Sequence, residues 1–122
     1  INLGVHMLKK IIPLLLVIFI PLSALSHTEI AFLSPENGSI LSEAPNEIYI
    51  VYHYPVMITK LEMFKSDQDN ENIQLSKNFL MQSSDAHQIK LPSLKMGEYK
   101  IDWRALSEDG HMINGTFSFK IK

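Results

Sequence analysis

The sequence contains no cysteine. That excludes a disulfide scaffold, a thiolate zinc site and an iron–sulfur cluster. It also excludes a blue-copper centre, which needs a thiolate ligand. Any metal held here must use histidine, carboxylate, methionine or backbone nitrogen. Charge is scarce too. Eleven Lys and Arg face thirteen Asp and Glu, a net charge of −2, and no basic cluster stands out beyond Lys9–Lys10. A nucleic-acid partner therefore has little electrostatic support. Internal repeats and low-complexity tracts are missing. At 122 residues the length argues for one domain, and the 46% hydrophobic share argues against wholesale disorder.

The apolar residues are unevenly spread. Residues 11–25, IIPLLLVIFIPLSAL, carry no charge. Met7 and the Lys9–Lys10 pair precede them, and Ser23-Ala24-Leu25-Ser26 follows. A basic start, an apolar run and small residues near a cut are the three parts of a secretory signal. Ala24 and Ser26 place the cut after Ser26. The run is shorter than the roughly 18–20 residues a membrane span prefers, and Pro13 and Pro21 weaken a long helix. The expected organisation is an upstream extension over 1–6, a signal over 7–26 and an exported domain over 27–122. That domain is more acidic than the whole chain, because the leader takes two lysines with it. Without cysteine it must be stabilised by core packing, aided by a ligand.

The exported part reads as strands. Over Glu98–Leu106, Tyr99, Ile101, Trp103 and Ala105 fall on one face and Glu98, Lys100, Asp102 and Arg104 on the other. Gly115–Lys122 repeats the pattern with Phe117, Phe119 and Ile121 inward. Period-two alternation marks a half-buried antiparallel strand. Glu47–Tyr54 has apolar or aromatic groups on both faces and reads as central. Ile30–Leu33, Thr59–Phe64, Ile73–Leu75 and His87–Leu91 are shorter candidates. Pro35–Gly38, Ser66–Asn72, Lys95–Gly97 and Glu108–Gly110 read as turns or loops. No segment of the exported part shows a helical period over ten or more residues. Some seven short strands in so short a chain predict an all-β, Greek-key β-sandwich of immunoglobulin-like type.

Two places could carry chemistry. A cut after Ser26 makes His27 the new N-terminus. Its α-amine and ring Nδ1 can chelate one metal, and the free amine titrates near pH 8, within reach of metal displacement. Asp109-Gly110-His111 places a carboxylate and an imidazole two residues apart, between the two best strands. Asp-Gly is also an ordinary hairpin pair, so the triplet alone is equally turn chemistry. Together His27, Asp109 and His111 offer three nitrogens and one oxygen, a complete equatorial set for Cu(II). A sandwich gathers its loops and strand ends at two poles, which makes their meeting feasible.

The chain resembles the CopC family of periplasmic copper-binding proteins. The matching segments are His27 just after a signal, Leu33–Leu41, Ala44–Tyr52, Pro55-Val56, Leu91–Leu94 and above all Gly97–Phe119. The resemblance implies a seven-stranded, cupredoxin-like Greek-key barrel or sandwich in the periplasm. It implies one Cu(II) per chain, held by His27, Asp109 and His111, and no enzymatic role. It also implies work in copper resistance or homeostasis beside a CopD-like inner-membrane copper protein, with the chain expected as a monomer. Two departures stand out. Some family members carry a Cu(I) site in a methionine-rich loop, but Met63–Asn72 here contains one methionine. Met57, Met63, Met81, Met96 and Met112 are scattered and read mostly as core fillers. Many members also place a carboxylate near the copper, just before or at the Pro-Val position, where this chain has His53 and Tyr54. His53 reads as a partly exposed strand residue, with an outer-sphere or ligating role as the alternative. His87 reads as solvated, and Asp102–Arg104 as an outer-face pair worth little. The rival functions are a histidine-brace copper monooxygenase and an exported interaction module without metal.

Overall fold

The computed structural model describes residues 29–122. The expected extension, signal, cut site and His27 lie outside the described residues. The strands are β1 (Ile30–Ser34), β2 (Ser39–Leu41), β3 (Glu47–Lys65), β4 (Glu71–Ile73), β5 (Ser83–Lys90), β6 (Gly97–Ser107) and β7 (Met112–Ile121). They form one curled sheet in the order β1-β3-β6-β7-β2, with β4 and β5 also paired to β3. The all-β expectation and the count of seven both hold.

The clean alternation of the sequence becomes the β6–β7 pair. It runs antiparallel from Gly97↔Ile121 to Leu106↔Met112. Tyr99, Ile101, Trp103 and Ala105 of β6 and Phe117, Phe119 and Ile121 of β7 are buried. Tyr99 stacks on Phe119 with ring centroids 5.6 Å apart, and Trp103 meets Tyr52 edge-on at 5.3 Å. Such aromatic pairs contribute about 0.5–1.5 kcal/mol each beyond the area they bury.

The expected strands Glu47–Tyr54 and Thr59–Phe64 are one strand, the 19-residue β3. Pro55 does not break it. Proline lacks the N–H that a ladder needs and is confined to edges and irregularities. Here it falls in the gap of the β5 ladder between Val51 and Val56. The first half of β3 pairs with β1 and β5, and the second half with β6 and β4. The strand thus carries the chain from one layer to the other. A register shift between Ile58 and Lys60 inserts Thr59 as a bulge. An extra residue inverts the inward phase. Accordingly Val56 and Ile58 are buried before it, and Leu61 and Met63 after it.

Two surface expectations need correction. Of the five scattered methionines only Met63 is fully buried. Met81, Met96 and Met112 are exposed, because they sit at strand ends and connections rather than within strands. Asp102 and Arg104 form no ion pair with each other. They face Glu62 and Lys60 across the ladder, and it is Lys60 and Glu62 that pair, at 3.3 Å.

Candidate functional site

The link from β6 to β7 is short and internally bonded. The Gly110 N–H donates to the Ser107 carbonyl at 3.0 Å, and the Ser107 N–H to the His111 carbonyl at 2.9 Å. Gly110 takes φ +90°, a conformation that favours glycine over residues with a Cβ. This turn brings Asp109 and His111 together. The Asp109 carboxylate accepts the Ser107 hydroxyl and, at 3.1 Å, the His111 backbone N–H. Its other oxygen lies 2.9 Å from His111 Nδ1.

These donors hold the Asp109 carboxyl well below the usual carboxylate range, the Ser107 hydroxyl first and His111 next. An ionised carboxylate can only accept, so His111 Nδ1 carries the proton and donates. The lone pair of the neutral ring then resides on Nε2. The Asp109 and His111 side chains are 66% and 80% exposed, so that nitrogen faces water at the pole of the sheet. The pair offers one oriented imidazole and one charged oxygen donor. Among the described residues no group of three or more His, Asp or Glu side chains is close enough to hold a metal ion.

The entry to β1 reaches the same pole. The Glu29 carbonyl accepts the His53 N–H at 3.0 Å. The Glu29 carboxylate accepts the Tyr54 hydroxyl across 25 residues of sequence. The hydroxyl is pushed up to about 12, first by this hydrogen bond, then by burial and by the negative charges of Glu29 and Asp109. The pairing of Val56 with Ser107 brings the Tyr54 end of β3 to the base of the Asp109–His111 loop. The sequence reading noted Tyr54 only by its place beside Pro55 and missed Glu29, because their meeting depends on how β1 and β3 pair.

The other histidines part company. His53 is exposed on β3, as expected, and hydrogen-bonds through its backbone. His87 is not solvated: it is 4% exposed within β5. Its Nε2–H lies 2.7 Å from the Ser84 carbonyl and 3.1 Å from that of Val56, and its ring meets Tyr52 edge-on at 5.8 Å. Two carbonyl acceptors fix Nε2 as the donor. The strand begins at Ser83, four residues before the apolar pattern shows it, and carries His87 inside.

Comparison with known proteins places this arrangement. The CopC domain family model matches residues 31–122. The copper transport protein CutJ of Bacillus subtilis is 30% identical over 117 residues, which cover 91% of this chain and 21% of that protein. Copper resistance protein C of Pseudomonas syringae pv. tomato is 55% identical over 29 residues, 24% of this chain and 23% of that protein. The chain thus matches about a fifth of the length of each of these relatives. The crystal structure of PcoC, a copper resistance protein from Escherichia coli, superposes with a TM-score of 0.61 at 21% identity, covering 78% of this chain and all of that one. The fold is therefore that of PcoC, and the family match over three-quarters of the sequence is decisive: the chain belongs to the CopC family.

Proposed function

We propose that the chain is an exported, periplasmic Cu(II) carrier that holds one copper ion and hands it on. The family is one of copper-binding proteins rather than enzymes. The observation that carries the reading is the Asp109–His111 pair. It presents an exposed imidazole, with Nδ1 engaged by a carboxylate and Nε2 without a hydrogen-bond partner among the described residues. Orienting a histidine through its second nitrogen is how metal-binding proteins fix tautomer and ring angle.

Copper is cargo in this account. A cut after Ser26 frees the His27 amine and Nδ1, and His111 Nε2 supplies a third nitrogen. Asp109 supplies charge and, on rotating away from Nδ1, an oxygen donor. Nitrogen and oxygen donors of this kind suit Cu(II), which sits highest in the divalent series. Four donors leave little room for a substrate, so the role is to hold and deliver. Delivery requires a partner with comparable donors or a reductant, because Cu(I) is soft and fits this set poorly. A CopD-like inner-membrane copper protein is the proposed recipient, and the carrier is proposed to act as a monomer.

The test is Cu(II) binding by the chain beginning at His27 and by its His111→Ala and Asp109→Ala variants. The expected result is tight one-to-one binding, strongly weakened in His111→Ala and less so in Asp109→Ala. Undiminished affinity in His111→Ala would remove the site.

A further inference from the structure

The start of β1 is a weak ladder. It pairs Ile30 with Tyr52, and then the register slips before Phe32 meets Val51. Ile30 and Leu33 pack against the core, but Ala31 between Ile30 and the slip is exposed, so the residues ahead of Ile30 depend on hydrogen bonds to β3. Two bonds tie it to β3 ahead of the slip: the backbone bond from His53 to the Glu29 carbonyl, and the side-chain bond from Tyr54 to the Glu29 carboxylate. Only Thr28 separates Glu29 from His27, so two chain steps give a reach of at most about 7 Å. Val56 of β3 pairs with Ser107 at the base of the Asp109–His111 loop, which sets Tyr54, two residues before Val56, at the same end of the sheet. Whatever orients Glu29 therefore sets where the preceding residues can go relative to the Asp109–His111 loop.

We propose that the Tyr54–Glu29 hydrogen bond is a clamp that positions the N-terminus for copper capture, Tyr54 acting as a positioning residue and Glu29 as its anchor. The inference rests on the terminal-His27 reading above. Neither residue is a copper ligand in it. The hydroxyl and carboxylate satisfy each other and hold the strand end against β3. The two-residue tether then keeps the terminal amine and imidazole at high effective concentration beside His111 Nε2. Pre-ordering the tether lowers the entropy lost on binding. Without the clamp the slipped ladder frays, and the terminus must be ordered by the metal itself.

The experiment is a double-mutant cycle. Cu(II) affinity is measured by chelator competition for the chain beginning at His27 and for the same chain with one residue added ahead of His27. Each is made with Tyr54 and with Tyr54→Phe, which keeps the half-buried ring and removes only the hydroxyl. In the form beginning at His27, Tyr54→Phe lowers affinity about tenfold, the low end of what losing a residue that orients the ligands costs a metal site. In the extended form it changes affinity by less than about twofold, since the terminal donors are already lost there. Glu29→Ala matches Tyr54→Phe, and Glu29→Gln, whose amide oxygen still accepts the hydroxyl, recovers most of the loss. The paramagnetic resonance spectrum at saturation is unchanged in Tyr54→Phe, because the ligands are the same.

Each contrary result is distinct. If extension weakens binding but Tyr54→Phe does not, the terminal site stands and the clamp falls. If Tyr54→Phe weakens both forms equally, it acts through the general fold and the clamp falls. If extension has no effect, the terminal site fails and the clamp with it.

Discussion

Gly115→Ala tests the packing beneath the site. Gly115 of β7 pairs with Trp103 of β6. A Cβ at position 115 would lie 2.7, 2.8 and 2.9 Å from Cζ2, Cε2 and Nε1 of the indole, against 3.4 Å or more for ordinary contact. The neighbour must yield by over half an ångström. Trp103 is buried, and its ring is braced edge-on against Tyr52. The strain passes into the β6–β7 ladder. Overpacking of this kind costs about 1–3 kcal/mol. For a domain of this size that lowers Tm by roughly 5–20 °C. The assay is urea unfolding followed by far-ultraviolet circular dichroism, which reads variants with and without Trp103, the sole tryptophan. Trp103→Phe removes the atoms that the Cβ strikes. The double variant is therefore more stable than the sum of the single losses by at least about 0.5 kcal/mol. A Gly115→Ala protein within about 0.5 kcal/mol of the parent, or strict additivity with Trp103→Phe, would refute the packing argument.

Three further outcomes follow from buried or titrating groups. The Tyr52 hydroxyl is buried without a hydrogen-bond partner among the described residues, and burial pushes its titration up. Tyr52→Phe is therefore as stable as the parent or more so, by up to about 2 kcal/mol; a loss above about 1 kcal/mol in urea unfolding would reveal a partner. His87→Ala strips the donor from two buried carbonyls and opens a cavity, costing about 2–3 kcal/mol; copper affinity that fell with it would place His87 in the site. Acid releases copper because protons compete for the nitrogen donors, so apparent affinity falls steeply as pH is lowered from 7 to 5. Asp109 contributes nothing to that fall. Its carboxyl is depressed, so its stabilising bonds are present above the unfolded value and lost only as pH drops through the lower folded one. Constant affinity down to pH 4 would exclude a histidine-based site.

Legibility in the sequence followed locality. β6 and β7 were visible because period-two alternation survives in them unbroken. β3 was not, since Pro55 looks like a terminator and the Thr59 bulge inverts the apolar phase. β2, at three residues, is too short for a pattern. The start of β5 is polar, and so His87 was misplaced to solvent. The site divides the same way. Asp109 and His111 interact across two residues, a spacing that can be read along the chain. Glu29 and Tyr54 meet only because β1 and β3 pair in one register, which composition and spacing do not encode.

The most direct test of the account is a Cu(II) titration of two forms of the protein, one beginning at a free His27 and one with a single residue ahead of it. Electron paramagnetic resonance reports the ligands and chelator competition the affinity. The account predicts one tightly held Cu(II) per chain in the first form, with nitrogen-rich coordination, and loss of that site in the second. Equal binding by both forms would move the copper to other histidines, His53 among them, and would contradict the central claim.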